Sequence, residues 1–285
     1  MNSFGMSCTA RNVFGIIGAF AVFVVGCNDP RDKFGRTWYI DGVGNWGFGV
    51  IEVPAGLEKG GYKGNVANFR WSVTMMPFID QTFRVFARAG GSRLAGEIKA
   101  YLKRFPDNEV NLIGLSAGTG VAIWATEDLE SPYKVRNVVL LASSLSSTYD
   151  VRKAQKNMTG KIHVYYTRSD PILNGPARVT GTIDGRFNDS AGLVGLRGPG
   201  AGDVVNVAWS SRFRRLGWTG HSHTDCVSEP FIREVVSAQI VPAAPAQSSE
   251  AVAVGPASKD VVAAPSAVGG AHAKPSLLLS TSNGS

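Results

Sequence analysis

Val110-Asn111-Leu112-Ile113-Gly114-Leu115-Ser116-Ala117-Gly118 carries an apolar run straight into Gly-x-Ser-x-Gly, and Thr119-Gly120-Val121-Ala122-Ile123-Trp124 continues in helical register. Val110 to Leu115 is short, largely apolar and free of charge, which reads as a strand buried on both faces. Ala117 to Thr126 reads as the helix that follows it. A chain that leaves a strand and enters a helix within two residues turns sharply, so Gly114 and Gly118 stand where strand and helix approach each other too closely for a side chain. Working outward, Thr37 to Ile40, Val138 to Ala142 and Ile162 to Tyr166 read as further strands. Ser92 to Arg104 places Leu94, Ala95, Ile98, Tyr101 and Leu102 at helical spacing, and Phe105-Pro106-Asp107 closes it. Strands alternating with helices predict an α/β domain with a mostly parallel central sheet flanked by helices.

The stretch from Val110 to Trp124 resembles the nucleophile elbow of α/β-hydrolases, and the resemblance reaches from about Thr37 to Val236. It implies Ser116 as nucleophile, with the following helix directing its N-terminal dipole toward a developing oxyanion. A serine hydroxyl is a weak nucleophile at neutral pH, so the chemistry needs a histidine base and a carboxylate that orients it. Of four histidines, His163 falls inside an expected strand and His272 in the C-terminal tail. His221 and His223 lie in Gly220-His221-Ser222-His223-Thr224-Asp225, just before Pro230 to Val236, which reads as the start of a final helix. The family's catalytic histidine occupies such a loop. His223, nearer that helix, is the expected base and His221 the alternative. The family's chain order then calls for an acid after a strand between serine and histidine. Asp170 fits, in Thr167-Arg168-Ser169-Asp170-Pro171, although an Asp-Pro turn would use the same residues; Asp184 and Asp189 are later alternatives. Tyr39 to Gly47 resembles the family's oxyanion loop, with Asp41 where His-Gly is often found, and the backbone amides of Val43 and Ala117 are the expected donors.

The expected activity is hydrolysis of a small-molecule or lipid carboxylic ester through an acyl-enzyme, without a cofactor. The alternative is a lipid-anchored envelope or binding protein that keeps the fold without turnover. Two close histidines without a third evident ligand predict no metal site. The chain has 285 residues, 44% of them hydrophobic, enough for one catalytic domain, read at 35–240. Its formal charge of +7 is spread over scattered basic residues, the tightest group being Arg212, Arg214 and Arg215. No aromatic residues interleave a basic stripe, so a solvated face is expected rather than a nucleic-acid partner.

Both ends of the chain read as something other than this domain. Arg11 precedes an apolar run from Val13 to Gly26, shorter than the roughly 20 residues a spanning helix needs, as in a signal peptide at 1–26. The run ends Val24-Val25-Gly26-Cys27, which resembles the lipobox of bacterial lipoprotein signals and implies an exported protein anchored in the cell envelope by a lipid on Cys27, or otherwise secreted. Cys226 is then the one cysteine left in the domain besides the lipidated residue, and a small core residue is expected of it. Residues 241–285 are rich in Ala, Pro and Ser, contain no Phe, Tyr or Trp, and read as a disordered tail. The loop Gly181 to Gly202 and the segment Gly49 to Phe78 are expected to shape the substrate pocket.

Overall fold

The computed structural model describes residues 29–72 and 80–241, the side chains of 80–83 excepted. The expected signal peptide, Cys27, His272 and the tail after Val241 lie outside these residues. Six strands form one sheet: β1 (Arg36–Ile40), β2 (Asn65–Phe69), β3 (Val110–Leu115), β4 (Val138–Leu141), β5 (Ile162–Tyr166) and β6 (Val205–Ala208). Their order is β2-β1-β3-β4-β5-β6 and every pairing is parallel. Parallel neighbours need crossovers, and helices supply them: α1 (Glu52–Lys59) joins β1 to β2, α2 (Asp80–Arg104) joins β2 to β3, and α3 (Gly118–Glu127) joins β3 to β4. This is the mostly parallel sheet flanked by helices expected of the α/β-hydrolase fold.

The pleat sends alternate side chains to two cores. Trp38, Ile40, Leu112, Val138, Leu140 and Val164 pack toward α2 and α3. Tyr39, Ile113, Leu115, Val139, Leu141 and Tyr165 pack on the other face, with Val53 and Leu57 of α1 and with Phe231, Ile232 and Val236 of the last helical run, Glu229–Phe231, Ile232–Val236 and Ser237–Ile240. Burial on both faces is why the inner strands read as continuous apolar runs.

Two sequence expectations are corrected here. α2 begins at Asp80 rather than Ser92, because Gly90 and Gly91 are packing sites and not a helix start. A Cβ at Gly90 would meet the Trp71 Cβ at 2.8 Å, and one at Gly91 the Trp124 Cβ at 2.8 Å. The strand expected to reach Ala142 stops at Leu141, since Ala142 turns to φ 44°. Gly181 to Gly202 is mostly loop, as expected, with the short helix α7 (Ala191–Val194) inside it, preceded along the chain by α4 (Arg152–Gln155), α5 (Pro171–Asn174) and α6 (Pro176–Thr180).

Candidate active site

Parallel strands deliver their carboxyl ends to one edge of the sheet, and β3 lies between β1 and β4. Ser116 follows β3 directly and sits at φ 52°, left-handed backbone that side chains rarely adopt. The turn is held from both sides: the Ser116 amide donates to the Leu141 carbonyl (3.0 Å), and the Ser116 carbonyl accepts from the amides of Thr119 (3.1 Å) and Ser144 (3.3 Å). The two motif glycines are steric requirements. A Cβ at Gly114 would stand 2.8 Å from the Gly118 carbonyl oxygen and the Thr119 amide, and one at Gly118 would overlap the Ile40 and Asp41 carbonyl oxygens.

Asp170 and His223 are brought together. His223 Nδ1 lies 2.7 Å from Asp170 Oδ2, while Asp170 Oδ1 accepts the amides of Ile172 (2.9 Å) and Leu173 (3.0 Å). Asp170 therefore caps α5 with one oxygen and meets the imidazole with the other, so the Asp-Pro turn and the contact with His223 coexist. Its side chain is 1% exposed. With a carboxylate on Nδ1, that nitrogen carries the proton and Nε2 is the free acceptor.

Ser116 and His223 line one cleft of about 630 Å³, together with Val43 and Ala117. Val43 opens a short helical turn and Ala117 caps α3, so neither amide has an acceptor within its own helix. The neighbouring Gly42 amide is spent on the Asp41 carboxylate (2.7 Å), which leaves Val43 as the loop's next donor. Gly42 lies close by as well, since a Cβ there would stand 3.3 Å from the Ser116 Cβ, a tight contact. The rest of the lining is largely apolar: Trp46, Phe48, Leu115, Ile172, Leu173 and Ile183. Among the described residues that line it, Arg84 is the one Arg, Lys, Asp or Glu.

The other candidates fall elsewhere. His221 also lines the cleft but packs against Trp209, ring centroids 6.3 Å apart. His163 is buried in β5, where desolvation holds its pKa below the ordinary value. Asp184 accepts the Ser146 amide and pairs with Arg186, and Asp189 pairs with Arg178. Cys226 is buried, and burial pushes its thiol well above the ordinary range, as befits a core residue rather than a nucleophile. Sequence reasoning missed Asp41 as an organiser of the site. The departure from His-Gly marks the position but says nothing about the amides that Asp41 meets.

No family model matches the chain, and no curated protein matches it. Among solved structures the chain is similar to esterase PE8 (TM-score 0.42, 10% identity, 72% of this chain and 91% of that one). It is also similar to an esterase of Pyrococcus furiosus (TM-score 0.42, 11% identity, 73% and 82%) and to a predicted CIB-like hydrolase of Thermoplasma acidophilum (TM-score 0.38, 16% identity, 72% and 86%). Likeness this distant carries no activity across, so function has to be read from the site's own geometry.

Proposed function

We propose that the chain is a serine hydrolase that cleaves carboxylic esters of apolar acyl groups through an acyl-enzyme. One observation carries the reading: Ser116 is held at φ 52° at a strand-to-helix turn, in the same cleft as an imidazole engaged by a buried carboxylate. A left-handed residue other than glycine costs about 1–2 kcal/mol, and such strain collects where function requires it. In the reaction Ser116 Oγ attacks the acyl carbonyl and His223 Nε2 takes its proton. The carbonyl oxygen becomes an oxyanion facing the amides of Val43 and Ala117. Collapse expels the alcohol, which receives the proton from His223, and a water activated by the same nitrogen then hydrolyses the acyl-enzyme. Asp170 keeps the imidazole oriented throughout.

The largely apolar lining supports an apolar acyl group, since burying a polar one costs desolvation that few groups there offset. The test is fluorophosphonate labelling combined with hydrolysis of p-nitrophenyl esters of graded acyl length. Labelling confined to Ser116, with kcat/KM rising from acetate to medium-chain esters, is the expected result. Folded protein that neither labels nor turns over would sink the reading in favour of a non-catalytic, lipid-anchored protein.

Location is a separate part of the proposal: export, with a lipid on Cys27. The support is the order of Arg11, the apolar run and Val24-Val25-Gly26-Cys27. Protein that stays with membranes through a high-salt wash, which screens the attraction of a basic surface, and is released by Cys27→Ser would bear this out. Mature protein without lipid on Cys27 would leave ordinary secretion.

A further inference from the structure

We propose that Asp41 is a positioning residue for the oxyanion donor, its carboxylate clamping the loop that presents the Val43 amide to the cleft. The inference rests on the esterase reading above and concerns a residue that touches no reacting atom. The loop after β1 runs Asp41-Gly42-Val43-Gly44-Asn45-Trp46-Gly47-Phe48-Gly49, with positive φ at Gly44 (80°), Asn45 (46°), Gly47 (93°) and Gly49 (77°). Four glycines in nine residues give the unfolded loop great freedom, so a single loop conformation has to be imposed from outside.

Asp41 imposes it. Oδ1 accepts the Gly42 amide at 2.7 Å and Oδ2 the Gly47 amide at 2.8 Å, closing a ring around Val43 to Trp46. The backbone on either side is pinned too: the Trp71 indole donates to the Asp41 carbonyl (2.9 Å), the Asn45 side chain to the Ser72 carbonyl (2.9 Å), and the Tyr39 hydroxyl to the Phe48 carbonyl. Because Gly42 lies against Ser116, any shift of this ring is felt at the nucleophile.

Asp41 is 4% exposed, and its carboxylate makes no ion pair among the described residues. Backbone amides alone offset its charge, and burial still holds its pKa above the ordinary value. A buried, unneutralised charge is a poor device for stability. Its use lies in what it holds in place: the charge spends the Gly42 amide and leaves Val43 as the donor.

The test uses the full chain with a p-nitrophenyl ester as substrate and a trifluoromethyl ketone as a mimic of the tetrahedral adduct. Wild type, Ser116→Ala, Asp41→Asn and Asp41→Glu are compared, with folding checked by circular dichroism. The expectation for Asp41→Asn is a loss in kcat of about 10²-fold, the effect of removing one oxyanion donor. KM should change less than about threefold, and the trifluoromethyl ketone should lose affinity in parallel with kcat while a product alcohol keeps its own. Should Asp41→Asn fail to fold, Asp41→Glu keeps the charge but displaces it by a methylene, and the same parallel loss is expected. Unchanged kcat and ketone affinity in either folded variant, against an active wild type, would overturn the role of Asp41 alone. A wild type without Ser116-dependent turnover would overturn the esterase reading and this inference together.

Discussion

A buried aspartate stands at each end of β1, and the two are treated in opposite ways. At the amino end the Asp32 carboxylate, 3% exposed, accepts Arg36 Nε (2.8 Å) and Nη2 (2.5 Å) and the Asn65 amide (2.8 Å). Its backbone carbonyl takes the Tyr101 hydroxyl (2.6 Å) and Asn108 (2.8 Å), tying β2 and α2 to the start of the sheet. At the carboxyl end Asp41 is equally buried but meets amides and, among the described residues, no cation. A neutralised carboxylate wired into several elements holds a fold together. An unneutralised one beside a strained serine is kept despite its desolvation cost, and in this family of folds ligands bind at the carboxyl ends of the strands. The contrast predicts that damage at the carboxyl end costs activity, and damage at the amino end costs stability.

The largest expected effect is at the carboxyl end. Ser116→Ala should lower kcat by about 10⁴-fold or more, and Asp170→Asn or His223→Ala by about 10⁴, because the three act as one unit. The unfolding midpoint of Ser116→Ala should hardly move. Ser116→Gly sharpens the point: glycine relieves the left-handed strain, so the inactive variant should be more stable than wild type by about 1 kcal/mol in urea melts. A Ser116→Gly variant less stable than wild type would mean that the turn is not strained, and the carboxyl end would lose its distinguishing mark.

Next in size is the amino end. Arg36→Met removes the cation and leaves Asp32 buried with Asn65. Arg36 is partly exposed, so the loss should fall at the low end of the range for a broken buried pair, about 3 kcal/mol. The Arg36 guanidinium also lies over Trp38 and Tyr101, 5.2 and 5.0 Å from their ring centres, so packing adds to the loss. Activity per folded molecule should be unchanged, as measured by active-site titration of the soluble fraction. Reduced kcat in the titrated enzyme would break the division between the two ends.

How far the sequence announced these two ends follows the same physics. β3 and β5 were legible to the residue, because inner parallel strands are apolar on both faces. β2 and β6 were not: Asn-Val-Ala-Asn-Phe and Val-Asn-Val-Ala are short edge strands whose apolar runs are interrupted by asparagine. α1 was missed because Pro54 and Gly56 read as breakers. Gly56 is there for contact, since a Cβ on it would meet Ile232 at 2.7 Å. In the site, Ser116 and its glycines were legible because sterics dictate them locally. The pairing of Asp170 with His223 was an expectation from chain order that only the fold could bring to 2.7 Å. The clamp by Asp41 was not legible, because an Asp before a glycine-rich stretch states nothing about which amides it will meet.

A smaller effect is expected at His221, which shares the cleft with His223 but has no carboxylate on its ring among the described residues. General-base catalysis contributes about 10²–10⁴-fold, so a His221→Ala variant within about tenfold of wild type leaves that role to His223. The reverse ranking would move the base to His221 and detach Asp170 from the chemistry.

The smallest effect is a difference in how stability follows pH, and it tests Asp41 directly. Burial raises the Asp41 pKa above its ordinary 3.8, and the amides of Gly42, Gly47 and Phe48 offset this only in part. The native state therefore binds this proton more tightly than the unfolded chain does. Stability from that preference is fully present below the unfolded pKa and is lost as pH rises through the raised folded pKa. Asparagine cannot titrate, so the Asp41→Asn variant lacks this loss. Its unfolding midpoint, measured against wild type, should thus be relatively higher at about pH 8 than at about pH 4. Asp32→Asn at the other end of β1 weakens the pair with Arg36, and its midpoint should fall below wild type. If Asp41→Asn instead trails wild type by the same margin at both pH values, burial does not disfavour the Asp41 carboxylate, and the asymmetry between the two ends of β1 disappears.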